Sequence, residues 1–212
     1  MAKQLVITML WLTSLSVSYA QTPVSYRLGL TAGINASQLQ QSSVRSHLLW
    51  RYNAGVALEQ QFSPAFAIAY ELLYSRQGSS TPTTGLLGDD KIINAIDYVS
   101  LPLLLRYRPK GEKGFVEVGG QGAYLLTAKG YFNSAKNQAS SFQHTHKFDV
   151  GLTAGVGYRI GNHVVIDARY YHGLNQILAN YTAPDPQTGV STNYQVAKWY
   201  NRIWSLNFSY YF

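Results

Sequence analysis

Trp204, Leu206, Phe208, Tyr210 and Phe212 stand two residues apart at the end of the chain, with Asn201, Ser205 and Asn207 among the residues between them. A β-strand sends successive side chains to opposite faces, so this spacing makes one greasy face and one wet face. The alternation recurs upstream and predicts strands over 26–36, 50–62, 65–77, 96–107, 115–127, 147–159, 163–175 and 200–212. Each matches or exceeds the roughly 9 to 11 residues a tilted strand needs to cross a bilayer.

The connections are short and long by turns. Residues 63–64, 108–114 and 160–162 are turns built on Pro64, Pro109, Gly111, Gly161 and Asn162, whose backbone preferences suit tight reversals. Residues 37–49, 78–95, 128–146 and 176–199 hold most of the Ser, Thr, Asn and Gln, and loops of that length are uncommon in compact soluble domains. An even number of strands with this asymmetry predicts an all-β fold: an eight-stranded antiparallel up-and-down transmembrane β-barrel, short turns periplasmic and long loops extracellular.

Polarity decides which face meets what. In the second strand Tyr52, Ala54, Val56, Leu58 and Phe62 oppose Arg51, Asn53, Gly55, Glu59 and Gln61; in the sixth, Phe148, Val150, Leu152, Ala154, Val156 and Tyr158 oppose Asp149, Gly151, Thr153, Gly155, Gly157 and Arg159. With charged residues at only 13% of the chain, a soluble barrel could not coat its exterior, so the apolar face is expected to meet lipid. Tyr26, Tyr70, Tyr74, Tyr107, Tyr124, Tyr158, Tyr170 and Trp204 share the outward parity, as interfacial girdles require. Pro102 has no N–H for the ladder and is expected to mark a bulge in the fourth strand.

The N-terminus supplies a compartment. Lys3, an apolar run over 5–17 and Ser18-Tyr19-Ala20 read as a secretory signal peptide over 1–20, cleaved after Ala20 and followed by a barrel domain over 21–212. The expected location is the outer membrane of a Gram-negative-type envelope, with both termini periplasmic. With no cysteine, a disulfide scaffold and a lipid-modified N-terminal cysteine are both excluded. The formal charge of +7, or +6 without Lys3, is scattered along strands and turns, which argues against nucleic-acid binding and suits anionic lipid headgroups.

Inward parity collects Arg27, Arg51, Arg106, Arg159 and Arg169 with Glu59, Glu71, Glu117, Asp149 and Asp167. An eight-stranded barrel is only wide enough inside for side chains, so these charges are expected to pair across the lumen and plug it. On the outside, Trp204, Leu206, Phe208, Tyr210 and Phe212 form the expected signal for the barrel-insertion machinery. Catalytic material is thin: His172 with Ser75 or the loop serines has no fixed spacing. His144 and His146 are two ligands where structural zinc usually needs four. Gly119-Gly120-Gln121-Gly122 and the glycines of 151–157 lie within strands, open no helix and fail as phosphate loops; close packing around bulky lumen groups accounts for them better. No catalytic, cofactor or metal site is therefore predicted.

Tyr98-Val99-Ser100-Leu101-Pro102-Leu103-Leu104-Leu105-Arg106-Tyr107, Gly151-Leu152-Thr153-Ala154-Gly155-Val156-Gly157-Tyr158, Arg169-Tyr170-Tyr171-His172-Gly173-Leu174 and Asn207-Phe208-Ser209-Tyr210-Tyr211-Phe212 resemble the PorT-like "porin family" of outer-membrane barrels. The resemblance implies the fold and the membrane and says little about activity. The function expected is that of a non-enzymatic envelope protein, structural or acting through its outer loops on surface ligands, partner proteins or lipopolysaccharide. A narrow solute or ion diffusion path is the alternative, and a rim-located lipid hydrolase the third reading.

Overall fold

The structure, a computed structural model, describes residues 24–40, 46–83, 90–109, 112–141, 145–184, 191–194 and 198–212. In chain order the strands are β1 (Ser25–Gln40), β2 (Leu49–Gln61), β3 (Phe66–Thr83), β4 (Asp90–Tyr107), β5 (Gly114–Phe132), β6 (Ser140–Ser141), β7 (Phe148–Ile160), β8 (Val164–Gly173), β9 (Tyr181–Pro184), β10 (Ser191–Tyr194) and β11 (Tyr200–Tyr211). The proposed signal peptide lies outside the described residues.

Eight of these strands make a ring. The order β1-β2-β3-β4-β5-β7-β8-β11 is antiparallel throughout, and β11 returns to β1 in register from Gly29↔Tyr211 to Gln40↔Tyr200. Closure leaves no free sheet edge, which is how a β-structure satisfies its backbone polar groups inside hydrocarbon. No helix among the described residues is long and apolar enough to cross a membrane. The crossing elements are strands.

One end of the ring carries tight turns. Gly161 reverses the chain between β7 and β8 with φ +61°, a left-handed angle that favours glycine. At the other end the wall grows past what a bilayer requires, because β3, β4 and β5 run to 18, 18 and 19 residues. Much of the predicted loops 78–95 and 128–146 is therefore strand, and the predicted loop 176–199 holds the β9–β10 hairpin. The alternation is lost there for a physical reason: above the lipid both faces of a strand meet water or loops, and Gly78-Ser79-Ser80-Thr81 needs no greasy side. At the tip, Ser134 Oγ and Lys91 N donate to Asp90 at 2.5 Å and 2.7 Å. These hydrogen bonds hold the Asp90 carboxyl below its ordinary range.

Pro102 behaves differently from expectation. The β3–β4 pairing skips Glu71-Leu72 opposite Leu101-Pro102, yet Tyr70↔Leu103 and Leu73↔Ser100 keep one register on either side, so no residue is inserted. The missing N–H interrupts the ladder without bulging it. The register shift in β4 falls instead between Asp97 and Tyr98, facing β5.

The exterior is aliphatic in the middle and aromatic at both rims. Leu28, Leu30, Val56, Leu72, Leu103, Val118, Leu152 and Leu206 are all exposed on the outer wall. Tyr170 lies 4.7 Å from Trp204, Tyr124 5.2 Å from Phe148 and Tyr52 6.2 Å from Tyr74 toward the long-loop end. Phe66 and Tyr107 (5.0 Å), and Tyr210 and Phe212 (5.7 Å), mark the short-turn end. Such paired girdles flank the hydrocarbon band of membrane barrels.

Candidate functional site: the packed lumen

Three layers fill the lumen, each following from the inward parity of its residues. Nearest the short turns, Glu59 sits at the centre of an arginine cluster: Arg27 Nη2 (2.7 Å), Arg159 Nη2 (2.6 Å) and Arg108 Nη2 (3.5 Å) meet its Oε1, and Arg106 Nη1 (2.8 Å) meets its Oε2. Deeper, Glu117 bridges Arg106 Nε (2.9 Å) and Arg169 Nε (2.6 Å). Arg169 also grips Glu71 Oε2 at 2.6 Å and Asp167 Oδ1 at 2.7 Å. All of these carboxylates are fully buried. The Phe115 ring packs 4.9 Å from the Arg106 guanidinium, and Gly157 makes room for that ring, since a Cβ there would overlap it.

A neutral amide layer follows. Asn207 Nδ2 donates to Asp167 Oδ1 (2.8 Å), Asn53 Nδ2 donates to Asn207 Oδ1 (3.0 Å) and Asn35 Oδ1 (2.8 Å), and Asn35 Nδ2 donates to Ser75 Oγ (3.1 Å). This layer borders a cavity of about 30 Å³, lined in part by Asn53, Gln77, Ser100 and Thr153, each of which has a buried side-chain oxygen without a partner among the described residues. The space and its polar lining suit about two water molecules. Above it Leu39, Ile96, Tyr98, Leu125, Ala128 and Ile177 form an apolar cap with Trp199 packed against it. Ile177 is drawn in from the segment after β8 by hydrogen bonds to Trp199 O and from His146 N, both 2.9 Å.

Eight of the ten charges expected to pair in the lumen come together: Arg27, Glu59, Glu71, Arg106, Glu117, Arg159, Asp167 and Arg169. Two do not. Arg51 donates to Tyr131 OH (3.2 Å) and has no ion pair among the described residues, while Asp149 accepts from Asn201 Nδ2 (2.7 Å). Parity puts both on the inner face, but each lies near the long-loop end of its strand, away from the opposite charges. Sequence reasoning missed Arg108, assigned to a turn; it is two residues beyond Arg106 and keeps its inward parity. It also missed the asparagine layer, for which inward parity was the available signal.

The candidate hydrolase pair does not assemble. Ser75 is buried in the lumen, taking hydrogen bonds from Asn35 and Gln77 Nε2, whereas His172 is exposed on the outer wall beside Tyr170. For the two-histidine pair, His144 lies outside the described residues.

A family profile described as outer membrane protein β-barrel domain matches residues 19–179. The chain belongs to this outer-membrane β-barrel family. A search of curated proteins gives no match. Among solved structures, Neisserial surface protein A (NspA) is similar over 90% of this chain and 99% of its own, at 12% identity and a TM-score of 0.51. Ail, the attachment invasion locus protein of Yersinia pestis, is matched over 88% of this chain and 98% of its own at 14% identity and a TM-score of 0.49. OprG of Pseudomonas aeruginosa is matched over 88% and 94%, at 15% identity and a TM-score of 0.44. At 12% identity the likeness to NspA is one of fold. As an outer-membrane barrel, the protein meets lipid with the apolar wall described above, and Trp204, Leu206, Phe208, Tyr210 and Phe212 all stand on that wall.

Proposed function

We propose that this outer-membrane barrel is a closed, non-enzymatic wall element that acts through its long-loop end, supporting the envelope or contacting surface ligands, proteins or lipopolysaccharide. The observation that carries the reading is the stack of ion pairs, amides and apolar cap, which packs side chains across the lumen at three successive heights. Protein reconstituted in a planar bilayer is expected to give no stable conductance above the protein-free baseline. A large ohmic pore would overturn the plug and favour the diffusion reading, in which flux responds to Arg106 or Glu117 replacement.

The long-loop end is the natural working surface because the wall rises there beyond the bilayer and the chain between β8 and β11 carries the antiparallel β9–β10 pair. In this reading the short turns and both chain ends face the periplasm, residues 1–20 are removed on export, and the barrel is PorT-like. Deleting 176–199 is expected to alter surface binding while the barrel still folds, although it also strips Ile177 and Trp199 from the cap. Unchanged behaviour in every surface assay would count against the assignment.

The terminal aromatic strand is proposed as the address read by the insertion machinery. Phe212 is 66% exposed on the outer wall, so little packing is lost on its removal. Phe212→Ser is therefore expected to reduce outer-membrane yield several-fold while export across the inner membrane continues; equal yields would remove this role.

A further inference from the structure

At the short-turn rim the charges do not balance locally. Arg27, Arg108 and Arg159 all approach Glu59 Oε1, and among the described residues no second carboxylate reaches any of the three. Arg106 does not relieve them, since it adds a fourth guanidinium to Glu59 from below. The deeper carboxylates Glu71, Glu117 and Asp167 are engaged by Arg106 and Arg169. Against Glu59 alone the three rim arginines leave two positive charges in excess, offset in part by the deeper layer, where three carboxylates meet two arginines.

The arginines also keep donors in hand. Arg108 is 7% exposed and holds Glu59 only at 3.5 Å, and its Nε has no partner among the described residues; the Nε atoms of Arg27 and Arg159 are likewise without one. Buried guanidinium donors left unpaired are costly, and a guanidinium fork matches the paired oxygens of an oxyanion. Burial, and after it the charge of Arg159, presses the Arg108 guanidinium below its ordinary value.

The rim remains open to solvent. The side chains of Arg27 and Arg159 are 18% and 15% exposed, while that of Glu59 is wholly covered. Arg27 is braced by the Tyr211 ring, 4.8 Å from its guanidinium, and by Asn162 O at 2.7 Å. The cluster is therefore held in place, with the Arg27 and Arg159 side chains partly exposed at the mouth and the unpaired Nε atoms buried among them. We propose that Arg27, Arg108 and Arg159 form a binding site for a small oxyanion of the phosphate or sulfate type at the short-turn mouth of the barrel. Such an ion supplies the missing negative charge and accepts from several guanidinium N–H groups at once. The ring of strands encloses the site, which favours a free ion over a membrane lipid headgroup. The proposal does not depend on what the long-loop end does.

The test is calorimetric titration of the full chain, folded in zwitterionic detergent, with inorganic phosphate and with sulfate at constant ionic strength in chloride. One saturable site per barrel is expected for both anions. Affinity should fall about tenfold or more in Arg108→Gln and in Arg159→Gln, since each removes charge-assisted hydrogen bonds, and stay unchanged in Arg76→Gln at the opposite rim. Folding of each variant is checked by the gel mobility of unheated protein, and the wild-type titration decides the matter if a variant fails to fold. No saturable binding of either anion by the wild type, or equal binding by a folded Arg108→Gln or Arg159→Gln variant, would overturn the proposal. Phosphatidylglycerol mixed into the micelles should not compete; competition there would assign the site to a headgroup and overturn the free-ion form.

Discussion

Replacing Glu117 by leucine is expected to destabilise the folded barrel by about 3 kcal/mol, the lower end of what breaking a buried ion pair costs. Its two oxygens join Arg106 and Arg169 at 2.9 Å and 2.6 Å, and all three side chains are buried. Leucine leaves the Arg106 Nε donor facing hydrocarbon, while Arg169 Nε retains Asp167 Oδ1 at 2.7 Å. The loss stays at the lower end because Arg106 keeps Glu59 and Arg169 keeps Glu71 and Asp167. Urea unfolding in detergent or lipid vesicles, followed by tryptophan fluorescence, reads the difference. By contrast, Arg76→Ala breaks a half-exposed pair with Asp97 (3.0 Å) and should change stability by about 0–1 kcal/mol. Similar losses for the two variants would mean that the lumen pairs are as weak as surface ones.

The second large effect belongs to the outer wall. Leu152 is 58% exposed on β7, midway between Phe148 of the upper girdle and Tyr158 near the short turns. Leu152→Arg should cost about 2–4 kcal/mol, because a guanidinium at that depth must stay in hydrocarbon or drag water and headgroups inward. Ile160→Arg, at the short-turn rim of the same strand, should cost about 0–1 kcal/mol, since the side chain reaches the interface. Depth dependence of this kind separates a lipid-facing surface from one that faces water, where both changes would be nearly neutral. The same unfolding assay in lipid vesicles measures both.

The sequence was most legible where the bilayer itself imposes a rule. Between the girdles every outward residue must be apolar, so parity assigned Leu206, Val156 and Tyr70 to the wall and Glu59, Glu117 and Arg169 to the lumen from spacing alone. Parity carries no height, however. Arg51 and Asp149 share the inner face with the network but sit a layer or more above it, where Tyr131 and Asn201 are their neighbours. Above the lipid the rule lapses, and β3, β4 and β5 continue through polar sequence that resembles a loop. Arg108 was hidden for a related reason: Pro109 and Gly111 signal a turn, and the turn begins one residue later than the inward parity ends. The arginine excess at the mouth emerges once Arg108 is counted on the inner face, six arginines against five carboxylates, and the distances place it at Glu59.

The claim beneath all of this is that hydrocarbon, and not water, covers the outside of the ring. A variant keeping Trp204 as its single tryptophan, reconstituted in vesicles whose acyl chains carry bromine, measures that contact, because Trp204 is 61% exposed on the outer wall. Strong quenching of its fluorescence by the brominated chains, with little quenching by aqueous iodide, is the expected result. Full quenching by iodide and none by the brominated lipid would contradict the account.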